Sequence, residues 1–443
     1  MGMRASSRAF ICALCVLVTV ASCSSGGGGG SGVGTSEPGA EERKIAELPH
    51  ALTESQRAAI DASNRFGLEL AARVTASDAR ANVVLSPLSA SMALGMALNG
   101  ANGATFDSMR SALGFGALTQ EQINDSYRGL IDLLTDLDPD VRFEIGNAIW
   151  ADASVPFEDA FFQAVAAAFD AQAESRDFGD PATVAAINAW VKERTDGHID
   201  SIVDSLDSGL IMLLVDAIYF DGAWTTQFDP DDTRPQAFMR EDGSTVDVDM
   251  MSLENVELPR ASGPSYTAVE LPYGGEAFSM VIVLPDSGVS ARDWLAKLDA
   301  DAWAALTAGL APARLDKLSI PKLALTYDTY LNDALQALGM DAPFKPAADF
   351  TRMSPLGNQI CIDFVRQKTA VEVDERGTRA AAATAVGVGV TSFTGFVVDR
   401  PFVFVIRERL SGTILFVGYV GDPTAQAAGP GQAVSECTGS AQP

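Results

Sequence analysis

Histidine is nearly missing from this 443-residue chain: only His50 and His198 occur, far apart in sequence. A His-centred triad or a zinc site therefore has little raw material. Basic residues are also scarce, with 31 Lys and Arg against 58 Asp and Glu and a net charge of -27. No basic stripe of the kind that neutralises phosphates is present, which argues against nucleic acid as a partner. There is no fixed repeat period and no convergent set of catalytic side chains, so an enzyme is not expected, nor a cofactor or metal. The acidic residues Asp229, Asp231 and Asp232 are interrupted by Pro230, which spoils calcium-loop spacing and leaves a solvated turn. What the chain does have is 47% hydrophobic and 20% charged residues, the balance of a globular protein long enough to bury a large core. Length alone suggests two or three domains.

Residues 1–22 read as an export signal. Arg4 and Arg8 supply the positive start, Ala9 to Val20 form an apolar run too short to span a bilayer, and Val20-Ala21-Ser22 precede Cys23. Small residues before a cysteine resemble the lipobox of bacterial lipoproteins, which implies lipidation at Cys23 and a membrane anchor in the cell envelope, facing the periplasm or the exterior. The alternative is a plain secretory signal cut nearby. Residues 23–50, with the run Gly26 to Gly30, are expected to form a flexible tether. A folded domain over 51–423 and a flexible tail over 424–443 complete the expected organisation, and a monomer is expected.

Helical spacing begins near Leu52, with Ile60, Phe66, Leu68 and Leu70 beside polar neighbours, and Ser86-Pro87 starts a second helix. Phe143 to Trp150 and Gly209 to Phe220 are apolar enough for strands buried on both faces, with a helix over Thr183 to Arg194 between them. Thr267 to Leu271 and Phe278 to Leu284 read as strands about a turn at Tyr273-Gly274-Gly275, and Leu318 to Leu325 as a strand broken by Pro321. Tyr330 to Leu338 is expected to be helical and Ile360 to Val373 extended, while Phe402 to Arg407 and Thr413 to Tyr419 form two closing strands. The irregular alternation predicts an α+β domain with large mixed sheets.

The stretch Glu372 to Val398, EVDERGTRAAAATAVGVGVTSFTGFVV, fits no ordinary structural role. It carries no charge between Arg379 and Asp399. The Ala run favours helix, whereas the interleaved Val and Gly residues favour an extended, flexible chain. Divided preference of this kind argues against one rigid ground state. From the stretch alone, an Ala/Gly linker is the simplest reading.

From about Asn64 to Pro423 the chain resembles the serpin family. The resemblance rests on the order and spacing of many residues. They are Asn82 with Ser86-Pro87 and Ser89; Asn188 with Trp190-Val191, Thr195, Gly197 and Ile199; and Ala217 to Phe220 with Gly222 and Trp224. Leu271-Pro272-Tyr273, Ile320-Pro321-Lys322, Leu338-Gly339-Met340, Asp349-Phe350, Pro401-Phe402 and Leu415-Phe416 with Gly418 continue it. The resemblance implies a serpin-like single domain with three mixed or antiparallel sheets, about eight or nine helices and an exposed reactive-centre loop. It implies suicide inhibition of an extracytoplasmic serine protease. The target protease cleaves the loop and forms an acyl-enzyme, and the freed hinge inserts into the main sheet before hydrolysis can complete.

By that resemblance the hinge falls on Glu375, Gly377, Thr378 and Ala380, Ala381, Ala382 and Ala383. A strand alternates its faces, so Thr378, Ala380, Ala382, Thr384 and Val386 would share one side, all small or β-branched, and would enter a packed core without overfilling it. Arg379 departs from the family, where an acidic residue is usual, but falls on the opposite face. Counting from Gly377 places the reactive bond at Thr391-Ser392; counting back from Pro401 selects Val390-Thr391. Either presents a small uncharged residue suited to elastase-like or subtilisin-like proteases. The latch at the centre of the sheet maps to Ser86, Ser89, Asp216 and Gln367, where Asp216 and Gln367 replace the family's Asn and His; a Gln amide can donate to a carboxylate as a His does, so the pair either substitutes for the family's or weakens the latch. Trp224 would stand structurally where the loop enters. Alternatives are a papain-like cysteine protease target, or a non-inhibitory binding or adhesion module on the same scaffold. Cys361 reads as a buried thiol or as half of a disulfide to Cys437.

Overall fold

The computed structural model describes residues 44–116, 118–206, 209–377, 394–425 and 429–430. Nine α-helices and fourteen strands occur among them, an α+β arrangement as expected. The strands form a nine-stranded sheet and two smaller sheets of three and two strands. The three-stranded sheet runs in the order Gln172–Arg176, Val141–Asp152, Met212–Gly222, and the two-stranded one pairs Leu323–Tyr330 with Arg366–Val373.

Two helices sandwich the three-stranded sheet. On one face lies Pro87–Gly100, capped by the Ser86 hydroxyl, started by Pro87 at its first turn and buried on nearly every side by Leu88, Met92, Leu94, Met96 and Leu98. A helix this apolar is stable only inside a core. On the other face, Pro181–Arg194 is capped by Asp180 and sets Ile187, Trp190 and Val191 against Trp150, Leu213, Val215 and Ala217. Burying a side chain of this kind is worth about 1.5–3 kcal/mol, so the two helical layers contribute much of what holds the sheet in place.

Several elements differ from expectation. Met212–Gly222 alternates buried and half-buried residues instead of being buried throughout, because Leu213, Val215 and Ala217 pack under Pro181–Arg194 while Met212, Leu214 and Asp216 on the other face line a cavity. The expected broken strand about Pro321 is two strands, Ala311–Pro321 and Leu323–Tyr330, with the proline ending the first. Tyr330 belongs to a strand, and the helix after it is the shorter Asn332–Ala337. Strand structure in the expected extended segment is confined to Arg366–Val373. The folded unit also starts earlier than expected. The Ile45 N–H donates to the Gly275 carbonyl at 2.7 Å, Ile45 and Leu48 pack on the core, and Lys44 pairs with Glu276 at 2.7 Å, so the last residues assigned to the tether are held by apolar contact.

Candidate functional site

A seam separates the two smaller sheets. Met212–Gly222 borders it on one side and Arg366–Val373 on the other, and no ladder joins them among the described residues. Unpaired strand edges are costly to leave open, since each offers backbone donors and acceptors to any extended chain. Two cavities lie along the seam. The upper, of about 30 Å³, sits between Ile218 to Phe220 and Ala370 to Glu372; the lower, of about 540 Å³, reaches from Leu213 and Asp216 to Phe364 and Gln367. Side chains cross it at few points. Lys368 Nζ donates to the Ser201 carbonyl at 2.9 Å, Arg366 donates to that of Ile202 at 2.8 Å, and His198 Nδ1 stands 3.9 Å from Glu372.

At the top of the seam the chain from Asp374 to Gly377 is clamped. Trp224, 2% exposed, stacks on Tyr273 with ring centroids 4.3 Å apart, and its indole N–H donates to the Asp374 carbonyl at 3.1 Å. Its backbone N–H donates to Arg376, and that of Phe228 to Glu375, each at 2.9 Å. A tight turn then reverses the chain, and Gly377 forms antiparallel bridges to Ala223 on one side and Asp374 on the other. Here only glycine fits: φ is +110°, and a Cβ would lie 2.4 Å from both the Gly222 carbonyl oxygen and the Trp224 nitrogen.

Glu375 is held by its carboxylate as well as its backbone. Lys322 Nζ reaches it at 2.9 and 3.1 Å and the Thr233 hydroxyl at 2.7 Å. Burial opposes its charge, but the bonds from Lys322 and Thr233 prevail and hold the carboxyl below its ordinary range. Lys322 lies within the Ile320-Pro321-Lys322 motif and Thr233 after the Asp229 to Asp232 turn. Neither is assigned a role by sequence, and no local signal marks the pairing.

In the lower seam, Ser86 and Gln367 meet. The Gln367 amide N–H donates to the Ser86 carbonyl at 2.8 Å, its oxygen accepts from the Ser86 N–H at 3.0 Å, and the Ser86 hydroxyl donates to the Leu415 carbonyl at 2.8 Å. The expected bond from Gln367 to Asp216 does not form; the amide pairs instead with the N–H and carbonyl of Ser86. Both carboxylate oxygens of Asp216 are buried, with the Ser89 side chain beside them. Burial drives the Asp216 carboxyl well above the ordinary carboxylate range, and the side chain of Ser89 opposes this only weakly. Ser86 and Gln367 thus tie the Arg366–Val373 side of the seam to the start of Pro87–Gly100.

Thr378, Ala380 to Ala383, Val390, Thr391, Ser392 and Cys23 lie outside the described residues. Cys361 is disulfide-bonded, which excludes a free thiol; Cys437 also lies outside the described residues. Among the described residues no cluster of metal-ligating side chains occurs, and Asp229 merely caps its own short turn through the Asp231 N–H.

The serpin family model, described as serine protease inhibitor, matches residues 61–423. Serpin-Z1C of Triticum aestivum is 33% identical over 397 residues, covering 84% of this chain and 98% of its own length. Neuroserpin of Gallus gallus is 31% identical over 360 residues, covering 78% of this chain and 87% of its own. Among solved structures, the thermophilic serpin tengpin in its native state superposes with a TM-score of 0.75 at 29% identity, over 86% of this chain and 96% of its own. With a match across most of its length, this chain belongs to the serpin family, whose members are generally protease inhibitors.

Proposed function

We propose that this serpin is a suicide-substrate inhibitor of extracytoplasmic serine proteases, anchored to the envelope through Cys23. The observation that carries the reading is Gly377, bridged antiparallel to Ala223 and to Asp374. One residue of the returning chain already pairs with Ala223, just past the end of Met212–Gly222, while its bridge to Asp374 closes the turn just past Arg366–Val373. After cleavage at Thr391-Ser392, or one residue earlier, the small residues Thr378 and Ala380 to Ala383 would extend that pairing down the seam. About ten new ladder bonds at about 0.5–1.5 kcal/mol each, plus apolar burial, would drive the process. The protease would be carried along as its acyl-enzyme. Displacing catalytic groups by about 1 Å costs about a hundredfold in rate, so deacylation would stall.

Small uncharged residues at either candidate bond favour elastase-like or subtilisin-like targets over trypsin-like ones. Incubation with elastase or subtilisin followed by a denaturing gel tests this. A complex that survives boiling is the expected result; clean cleavage with the protease fully active would overturn inhibition in favour of a substrate or binding role.

A further inference from the structure

Asp374 and Gly377 exchange N–H and carbonyl at 3.1 and 3.2 Å across the two-residue turn Glu375-Arg376, and Gly377 bridges Ala223 on its other side. A hairpin turn of fixed length sets the register of the strands it joins. Continued by two residues, both bridges assign position 379 to one cross-strand row, with Glu372 of Arg366–Val373 on one side and Asp221 of Met212–Gly222 on the other. Residues directly opposite one another share a face of the sheet. Here it is the outer face, since the Glu372 side chain is 57% exposed. Asp221 is half-buried, accepts from the Tyr219 hydroxyl at 3.2 Å and lies opposite Arg142 of Val141–Asp152. Across the seam the row therefore reads Arg142, Asp221, position 379, Glu372. Around it, Arg142 is bound to Glu144 at 2.6 Å and stands 3.5 Å from Asp196, and His198 stands 3.9 Å from Glu372.

We propose that Glu372 and Asp221 are a receptor for the guanidinium of Arg379, filled when the cut loop enters the seam; the inference rests on the insertion reading above. Arg379 itself lies outside the described residues. Seated between the two carboxylates, it completes a row of alternating charge. The acidic residue usual in the family would instead set three carboxylates side by side. Opposite charges directly across a sheet attract and like charges repel. The departure at Arg379 thus fits the hinge to this particular sheet, and it serves to hold the first rungs of the inserted strand.

The test is calorimetry at low salt on the full chain with its loop intact and on the same chain nicked between Val388 and Ser392 and freed of protease. The parent should melt higher once nicked. Arg379→Glu should lower the nicked midpoint by about 2–4 °C and move the intact chain far less, and adding Glu372→Arg should recover part of the loss. Salt at about 0.5 M should shrink the difference. The intact chains report whether each variant folds. Equal midpoints for nicked parent and nicked Arg379→Glu, or a loss that Glu372→Arg leaves in place, overturns the pairing. A parent that gains nothing on nicking overturns it together with insertion. A parent that gains stability but forms no boiling-resistant complex with elastase or subtilisin overturns inhibition alone, and the variants still decide the pairing.

Discussion

Gly377 and Ala223 form an antiparallel bridge across the top of the seam. The bridge exists because the chain after Val373 is pinned by Trp224 and then turns back on itself at the one residue whose missing Cβ lets two backbones touch.

Gly377→Ala should break that contact. The added Cβ meets backbone atoms on the opposite strand, and φ of +110° is foreign to alanine. A loss of about 1–3 kcal/mol in folding stability is expected, read as a lower urea midpoint. Coincident unfolding curves for the variant and the parent would refute the bridge.

Asp216→Asn should stabilise the fold at neutral pH. A folded-state carboxyl held above its unfolded value favours the native state fully only below that unfolded value, and the advantage is lost as pH rises toward the folded one. The amide carries no such penalty. The variant should therefore gain about 1–3 kcal/mol over the parent at pH 7, with the gap closing toward pH 4. Urea unfolding across that range measures it, and a gap independent of pH would be the contrary result.

Glu375 has the opposite sign. Its carboxyl lies below its ordinary value, so the tether to Lys322 and Thr233 stabilises the turn from Asp374 to Gly377 above the unfolded value and is lost as pH falls through the folded one. Lys322 is partly exposed, which limits the effect of Glu375→Gln to about 0.5–1.5 kcal/mol. Amide exchange at Phe228 and Trp224, whose N–H groups donate to Glu375 and Arg376, should quicken in the variant at pH 7 and in the parent only under acid conditions. Equal protection in both proteins at both pH values would exclude the tether.

Thr378→Arg places a long charged side chain on the face expected to enter the core, where a misfit costs about 1–3 kcal/mol or more. The variant should fold normally, be cleaved by elastase or subtilisin, and form little boiling-resistant complex. Retained complex formation would contradict insertion as the trapping step.

Much of the architecture was legible because it rests on local chemistry. Ser86-Pro87 announces a helix start and one forms there; the alternation of helix and strand predicts the α+β class. Pro321 was seen as a strand breaker, though only the structure separates the flanking strands. Extended chain was legible about Met212–Gly222 and Arg366–Val373, but the bounds of the strands and their open edges were not. Composition reports that a strand is apolar and cannot report whether a neighbour stands beside it.

The candidate site divides along the same line. Smallness after Gly377, the acidity of the chain and the near absence of histidine are properties of residue identity, and the amino-acid order alone determined them. Tertiary structure decided which groups meet: Lys322 with Glu375, Gln367 with Ser86 instead of Asp216, and Gly377 with Ala223. Partners of that kind are brought together by sheet register and by helix packing over dozens to hundreds of residues. A carboxylate's charge state and a glycine's necessity therefore depend on neighbours that no local stretch of the chain specifies.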